Sequence, residues 1–169
     1  MQMIVPQPFL VEKIWGGKRL SEFYGKKNIG ESWLVSTLKE GESSFAGRPL
    51  SETTGELPYL IKLIDTSDHL SVQVHPADDY ARRVEKSTGK AECWLILDGD
   101  PGAGIYLGLR SGVDKAKLTQ ALKEQHNLSH LLNFYPVKRG DFFFVPAGTI
   151  HAIGKGVLLL EVQQSSGIT

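Results

Sequence analysis

Cysteine is almost missing. Cys93 is the sole one among 169 residues, so no disulfide can close within the chain, and the expected setting is a reducing one, the cytoplasm. Net charge is missing too, because nineteen Lys and Arg offset nineteen Asp and Glu. No global field draws in nucleic acid or an anionic membrane surface, and an anionic ligand would need positive charge gathered locally. No stretch approaches the roughly 20 apolar residues of a membrane span. Met1 to Leu10 carries two prolines and shows neither the basic start nor the apolar run of a secretory signal. There is no internal repeat, low-complexity tract or linker. What remains, 41% hydrophobic and 22% charged, suits one soluble globular domain able to bury a core.

Eighteen glycines and eight prolines punctuate short runs rich in Val, Ile, Leu, Phe and Trp, the pattern of an antiparallel all-β protein. Strands are expected near 31–37, 59–65, 69–75, 92–98, 103–109, 141–145 and 157–164. Two helices are expected between them. One runs from Asp78 to about Lys86, opened by acidic residues and closed by basic ones. The other runs from Asp114, a plausible N-cap, to about Leu132.

Three stretches could carry chemistry. In "LSVQVHP", residues 70–76, alternation sends Leu70, Val72 and Val74 one way and Ser71, Gln73 and His75 the other. The pattern alone favours a surface strand with its polar face in water, yet Gln73 and His75 would converge on one ion if that face lined a cavity. In "GKAECWLILDG", residues 89–99, Lys90, Glu92 and Trp94 share a face, and Cys93 looks the other way as a small core residue. Lys90 and Glu92 fit a solvated pair, except that "WLIL" begins directly after them and places Glu92 at the mouth of a buried strand.

The third stretch is "GDFFFVPAGTIH", in which Gly140, Pro146, Gly148 and His151 form the pattern G-x5-P-x-G-x2-H. A strand, a turn and a returning strand would hold His151 at one end of a sheet. A lone histidine there is commonly structural. Gln73, His75, Glu92 and His151 together offer two imidazoles, a carboxylate and an amide oxygen, a set that suits zinc or a neighbouring divalent ion with room for water or substrate. His69, His126 and His130 lack such company and are expected at the surface or at helix ends. Glu161 and Gln163 could line the same cavity or sit at a solvated strand end.

These motifs resemble the cupins, small jelly-roll barrels with a metal in the mouth. G-x5-P-x-G-x2-H is similar to the second cupin motif, and Glu92 to Gly99 fits the E-x6-G ending of the first. Where cupins usually have H-x-H, this chain has Gln73-Val74-His75, and a longer helical insertion precedes Glu92. With those departures, "YLIKLIDTSDHLSVQVHPADDYA", "GKAECWLIL", "PGAGIYLG", "VPAGTIHAIGKGVLLLEVQQSSG" and "IGESWLVS" resemble type I mannose-6-phosphate isomerases, especially their short bacterial branch.

The resemblance implies a cupin-type jelly-roll barrel spanning 1–169 with one zinc per chain, held by Gln73, His75, Glu92 and His151. It also implies a sugar phosphate substrate met by Lys62, Ser71 and Lys90, with Lys90 either anchoring phosphate or assisting proton transfer. Without the resemblance, Lys62 in "LIKLID" reads as a strand lysine reaching solvent along its stem. The implied reaction interconverts mannose 6-phosphate and fructose 6-phosphate through a cis-enediol, with the metal as Lewis acid.

The family continues with a Tyr-Arg pair and a second β domain beyond the point where this sequence stops at Thr169, and longer members place an aspartate near Gly167. The expectation for this chain alone is weak isomerase activity or none, and self-association through an exposed strand edge. Two other readings stay open: a metal-bearing cupin that binds a sugar phosphate without turnover, and an iron(II) cupin oxygenase using His75, Glu92 and His151.

Overall fold

The structure, a computed structural model, describes residues 3–168. Its strands in chain order are β1 (Phe9–Glu12), β2 (Ile29–Val35), β3 (Ser44–Phe45), β4 (Arg48–Pro49), β5 (Tyr59–Asp65), β6 (Glu92–Gly99), β7 (Gly104–Leu109), β8 (Leu132–Pro136), β9 (Phe142–Val145), β10 (His151–Ile153) and β11 (Val157–Gln164). Short helices lie between them: α1 (Lys18–Tyr24), α2 (Ser51–Thr54), α3 (Asp78–Tyr80) and α4 (Lys115–Lys123). All pairings are antiparallel. Six strands form one sheet in the order β1-β2-β5-β11-β6-β9, three form a second in the order β10-β7-β8, and β3 pairs with β4. This is the all-β jelly-roll architecture expected from the sequence.

Alternation explains the interior. Along β11, Val157, Leu159, Glu161 and Gln163 are buried and the residues between them are half-exposed. β5 buries Leu60, Lys62 and Ile64, and β6 buries Glu92, Trp94 and Ile96. The registers align these residues into three rows across the inner face of the large sheet. The deepest row is apolar, Ile64 beside Leu159 beside Ile96. The middle row runs Trp33, Lys62, Glu161, Trp94, Phe143. The third runs Leu60, Gln163, Glu92, Val145. Ile105 and Ile153 of the small sheet close over the apolar row. The interior is therefore oily at one end and charged at the other.

Several expected elements differ in extent. Residues 69–75 form an extended segment held by a single bridge, Gln73 to His151, instead of a strand. Its faces are mixed along its length: Leu70 packs against the core and Ser71 is exposed, whereas at the other end Val74 is 53% exposed and His75 only 2%. The inward turn of His75 is toward a cavity that is itself polar. The helix expected from Asp78 continues from α3 into a π-helical turn, Ala81–Glu85, which Lys86 ends in the left-handed region at φ 57°. The helix expected over 114–132 is capped by Asp114, whose side chain accepts from Lys117 N, but it stops at Lys123. Gln125 at φ 53° breaks it, a 3-10 turn follows at Leu128–Leu131, and Leu132–Pro136 joins β7 as a strand. Pairing with β7 outweighs helical periodicity there.

Candidate metal centre

Two backbone connections bring the candidate ligands together. The first is the turn Pro146-Ala147-Gly148-Thr149, closed by Thr149 N–H donating to Pro146 O at 3.1 Å. Gly148 takes φ +84° at the third position, which a type II turn requires and a side chain would oppose. Gly148 N–H donates to His75 O at 2.8 Å, so the turn also grips the segment that carries His75. The second connection is the reciprocal pair between Gln73 and His151, with N–H to O distances of 2.8 and 2.9 Å. The proline and glycine of the motif thus place His151 against Gln73 and His75 through main chain alone.

The side chains complete the cluster. His75, Glu92 and His151 are all buried, and one ligand atom from each lies within 4.8 Å of the others. His75 Nε2 is 3.2 Å from Glu92 Oε1, His151 Nε2 is 3.9 Å from Glu92 Oε2, and the two imidazole rings are 4.9 Å apart. His151 Nδ1 lies 2.8 Å from Thr149 O. A carbonyl only accepts, so Nδ1 carries the proton and Nε2 turns its lone pair toward the cluster. Nδ1 of His75 is buried with no hydrogen-bond partner.

Electrostatics prepare the donors. Burial works against the Glu92 carboxylate, but hydrogen bonding from His75 and the ammonium of Lys90 outweigh it and hold its pKa well below the usual carboxylate range. Burial lowers the His151 pKa, against the pull of the Thr149 carbonyl and Glu92, and so favours the neutral ring. Two imidazoles and a carboxylate in a buried cluster are the donor set a zinc-like cation takes. The residues present fit a metal.

A cavity of about 260 Å³ opens beside the cluster. Lys62, Ser71, Gln73, Lys90, Glu92 and His151 all line it, and His75 backs it through Glu92 and Lys90. Gln73 Nε2 donates to Ser71 Oγ at 2.9 Å, and the amide oxygen takes no part in that bond. Lys90 is buried, with Nζ 3.0 Å from Glu92 Oε1 and 3.4 Å from His75 Nε2. It is therefore a buried pair with Glu92 and not a solvated one. Lys62 is also buried instead of reaching solvent. Its Nζ meets Glu161 Oε1 at 3.0 Å and Glu31 Oε2 at 3.5 Å. Burial lowers the Lys62 pKa, but the two carboxylates overcome it and raise it above the usual lysine value. Glu161 lines the cavity, while Gln163 is buried just outside the lining.

A model of the family described as phosphomannose isomerase type I, catalytic domain, matches residues 26–92, which hold every candidate side chain named above except His151, Glu161 and Gln163. The chain is 41% identical to a mannose-6-phosphate isomerase of Streptococcus mutans over 94% of its own length and 56% of the relative's. It is 40% identical to mannose-6-phosphate isomerase ManA of Bacillus subtilis over 96% of this chain and 58% of that one. The crystal structure of the mannose 6-phosphate isomerase from Bacillus subtilis superposes with a TM-score of 0.89 at 35% identity, covering 98% of this chain and 59% of that chain. In sequence and fold the chain is similar to these mannose-6-phosphate isomerases. It spans a little under three fifths of the length of these relatives.

Three cavity residues, Glu31, Lys13 and Trp15, are absent from the sequence reading. Glu31 accepts from Trp33 Nε1 at 2.7 Å and pairs with Lys13 Nζ at 3.8 Å as well as with Lys62. Lys13 and Trp15 come from the loop after β1. A spacing argument could have found Glu31, since "IGESW" puts it on the same strand face as Trp33. Nothing in the local pattern announces Lys13 or Trp15.

Proposed function

We propose that this chain is the metal-binding domain of a zinc-dependent aldose–ketose isomerase acting on mannose 6-phosphate and fructose 6-phosphate. The observation that carries the reading is the buried His75–Glu92–His151 cluster at the edge of a charged cavity, in a chain whose relatives are named for that reaction. His75, Glu92 and His151 would hold one zinc ion, with the amide oxygen of Gln73 as a fourth donor. When bound, zinc supplies Lewis-acid polarisation of sugar oxygens.

The chain's own residues do the rest. Ser71, exposed at the cavity rim, and the ammonium groups of Lys62 and Lys90 line the space a sugar phosphate would fill. Lys90 Nζ, already ion-paired, offers further protons to a sugar or phosphate oxygen and stands where proton movement between C1 and C2 could be assisted. Burial of His75, Glu92 and His151 would limit the access of bulk water to the reacting atoms. A cytoplasmic setting fits a single free cysteine and a sugar phosphate substrate. No helix among the described residues is long and apolar enough to cross a membrane. Self-association would use β9, an edge strand of the large sheet with Phe142 64% and Phe144 61% exposed.

The test combines metal analysis with a coupled assay of mannose 6-phosphate and fructose 6-phosphate interconversion. The reading expects about one zinc per chain, saturable binding of fructose 6-phosphate, and loss of both in His151→Ala. A chain that takes up zinc and yet neither binds nor converts either sugar phosphate would leave the metal site standing and remove the isomerase.

A further inference from the structure

Lys62 is flanked by two tryptophan–carboxylate pairs. On one side Trp94 Nε1–H donates to Glu161 Oε2 at 2.8 Å, and Glu161 Oε1 meets Lys62 Nζ at 3.0 Å. On the other, Trp33 Nε1–H donates to Glu31 Oε2 at 2.7 Å, that oxygen lies 3.5 Å from Lys62 Nζ, and the Trp33 ring sits 5.6 Å from the ammonium. Trp33, Lys62, Glu161 and Trp94 are successive cross-strand partners on β2, β5, β11 and β6. The arrangement is thus one row fixed by sheet register.

Trp94 is the member that reaches beyond the row. Its ring meets the His151 imidazole edge-on at a centroid distance of 5.4 Å, and only 1% of its surface is exposed. One rigid side chain therefore touches both halves of the cavity, hydrogen-bonding the Lys62–Glu161 pair and packing against a candidate ligand. The hydrogen bond matters because Glu161 is buried, only 3% exposed. Burial already pushes its carboxyl up, with Lys62 opposing and Glu92 reinforcing, and loss of a donor to the ionised form favours protonation further. A neutral Glu161 would no longer hold the Lys62 ammonium.

We propose that Trp94 is a positioning residue whose indole N–H fixes the Glu161 carboxylate against Lys62 while its ring fixes the plane of His151. The spacing between the charged row and the His75–Glu92–His151 cluster is then set by one side chain. The proposal rests on the isomerase reading for its effect on turnover and not for its effect on Glu161.

Two replacements separate the donor from the ring in zinc-loaded protein. Trp94→Phe keeps an aromatic edge beside His151 and removes the N–H. Benzothienylalanine in place of Trp94 keeps the whole shape and removes only the N–H, so it serves if Trp94→Phe fails to fold. Carbon-13 NMR of the Glu161 carboxyl should show its titration midpoint raised by about one to two units in either protein. The zinc dissociation constant should stay within about threefold of the parent's, because the ligands and the aromatic neighbour remain. Conversion of mannose 6-phosphate should lose about tenfold in kcat with KM little changed. Glu161 titrating as in the parent overturns the proposal, as does a zinc affinity unaltered in Trp94→Leu, where the ring is gone as well. A parent protein that binds zinc and neither binds nor turns over sugar phosphate removes the isomerase reading, and the carboxyl titration still decides the role of Trp94.

Discussion

Glu31 shows how a single side chain ties acid stability to the cavity. Burial pushes its carboxyl up, but Lys62, the Trp33 N–H and Lys13 outweigh burial and hold it below its ordinary 4.5. A carboxyl with a lowered folded pKa stabilises the fold fully above 4.5 and loses that contribution as pH falls through the lowered value. Glu31→Gln should therefore cost about 1.5–3 kcal/mol near pH 7. The gap to the parent should narrow as pH is taken below 4.5, measured by urea unfolding across that range. A gap that stays constant with pH would show that Glu31 acts through packing alone. At this scale the sequence was readable where residue type and alternation agreed. Gln73, Glu92 and His151 line one cavity with His75 directly behind them, as their motifs suggested. Lys62 was misjudged on its residues alone because a lysine stem can lie along a sheet and end in solvent or in an ion pair, and only the partner strands decide which. Glu31, on β2, acquires its meaning from β5, two residues across in the register and some thirty away along the chain.

At the scale of the element, the turn between β9 and β10 is the part on which the site depends. Gly148 holds φ +84° with nothing within 4 Å of where a Cβ would sit, so substitution there acts through backbone strain and not through a clash. Gly148→Ala should destabilise the fold by about 1–2 kcal/mol. It should weaken zinc binding as well, because the strained turn loosens the Gly148 N–H contact to His75 O. Calorimetry for the first effect and a zinc competition titration for the second would show whether they move together; stability loss with unchanged zinc affinity would mean that the turn does not set the ligand spacing. Strands 59–65 and 157–164 were legible to the residue because alternating burial and long apolar runs agree in them. β1, β3, β4, β8 and β10 were not, being short or drawn into pairing by neighbours: Leu132–Pro136 is a strand because β7 offers it partners. The 69–75 segment failed in the opposite sense, with strand-like alternation and almost no ladder.

For the whole molecule, a cation bound at the cluster would be linked to folding. His75 comes from an extended segment, Glu92 from the large sheet and His151 from the small one, so the cluster exists only when all three are assembled. A cation that binds this assembled form and not the unfolded chain adds about 4 kcal/mol when present at roughly a thousandfold its dissociation constant. Treatment with a chelator should lower the melting temperature, zinc should restore it, and His151→Ala should melt at the same temperature with or without chelator. A parent melting point indifferent to chelator would show that no cation is part of the folded state.

His75 and His151 are held to each other by main-chain contacts through Gly148 and Gln73, and no side chain takes part in those contacts. The frame that sets the coordination sphere is therefore separate from the atoms that fill it. Selection could exchange imidazole, amide or carboxylate at positions 73, 75 and 151 and change the preferred ion without redesigning the barrel.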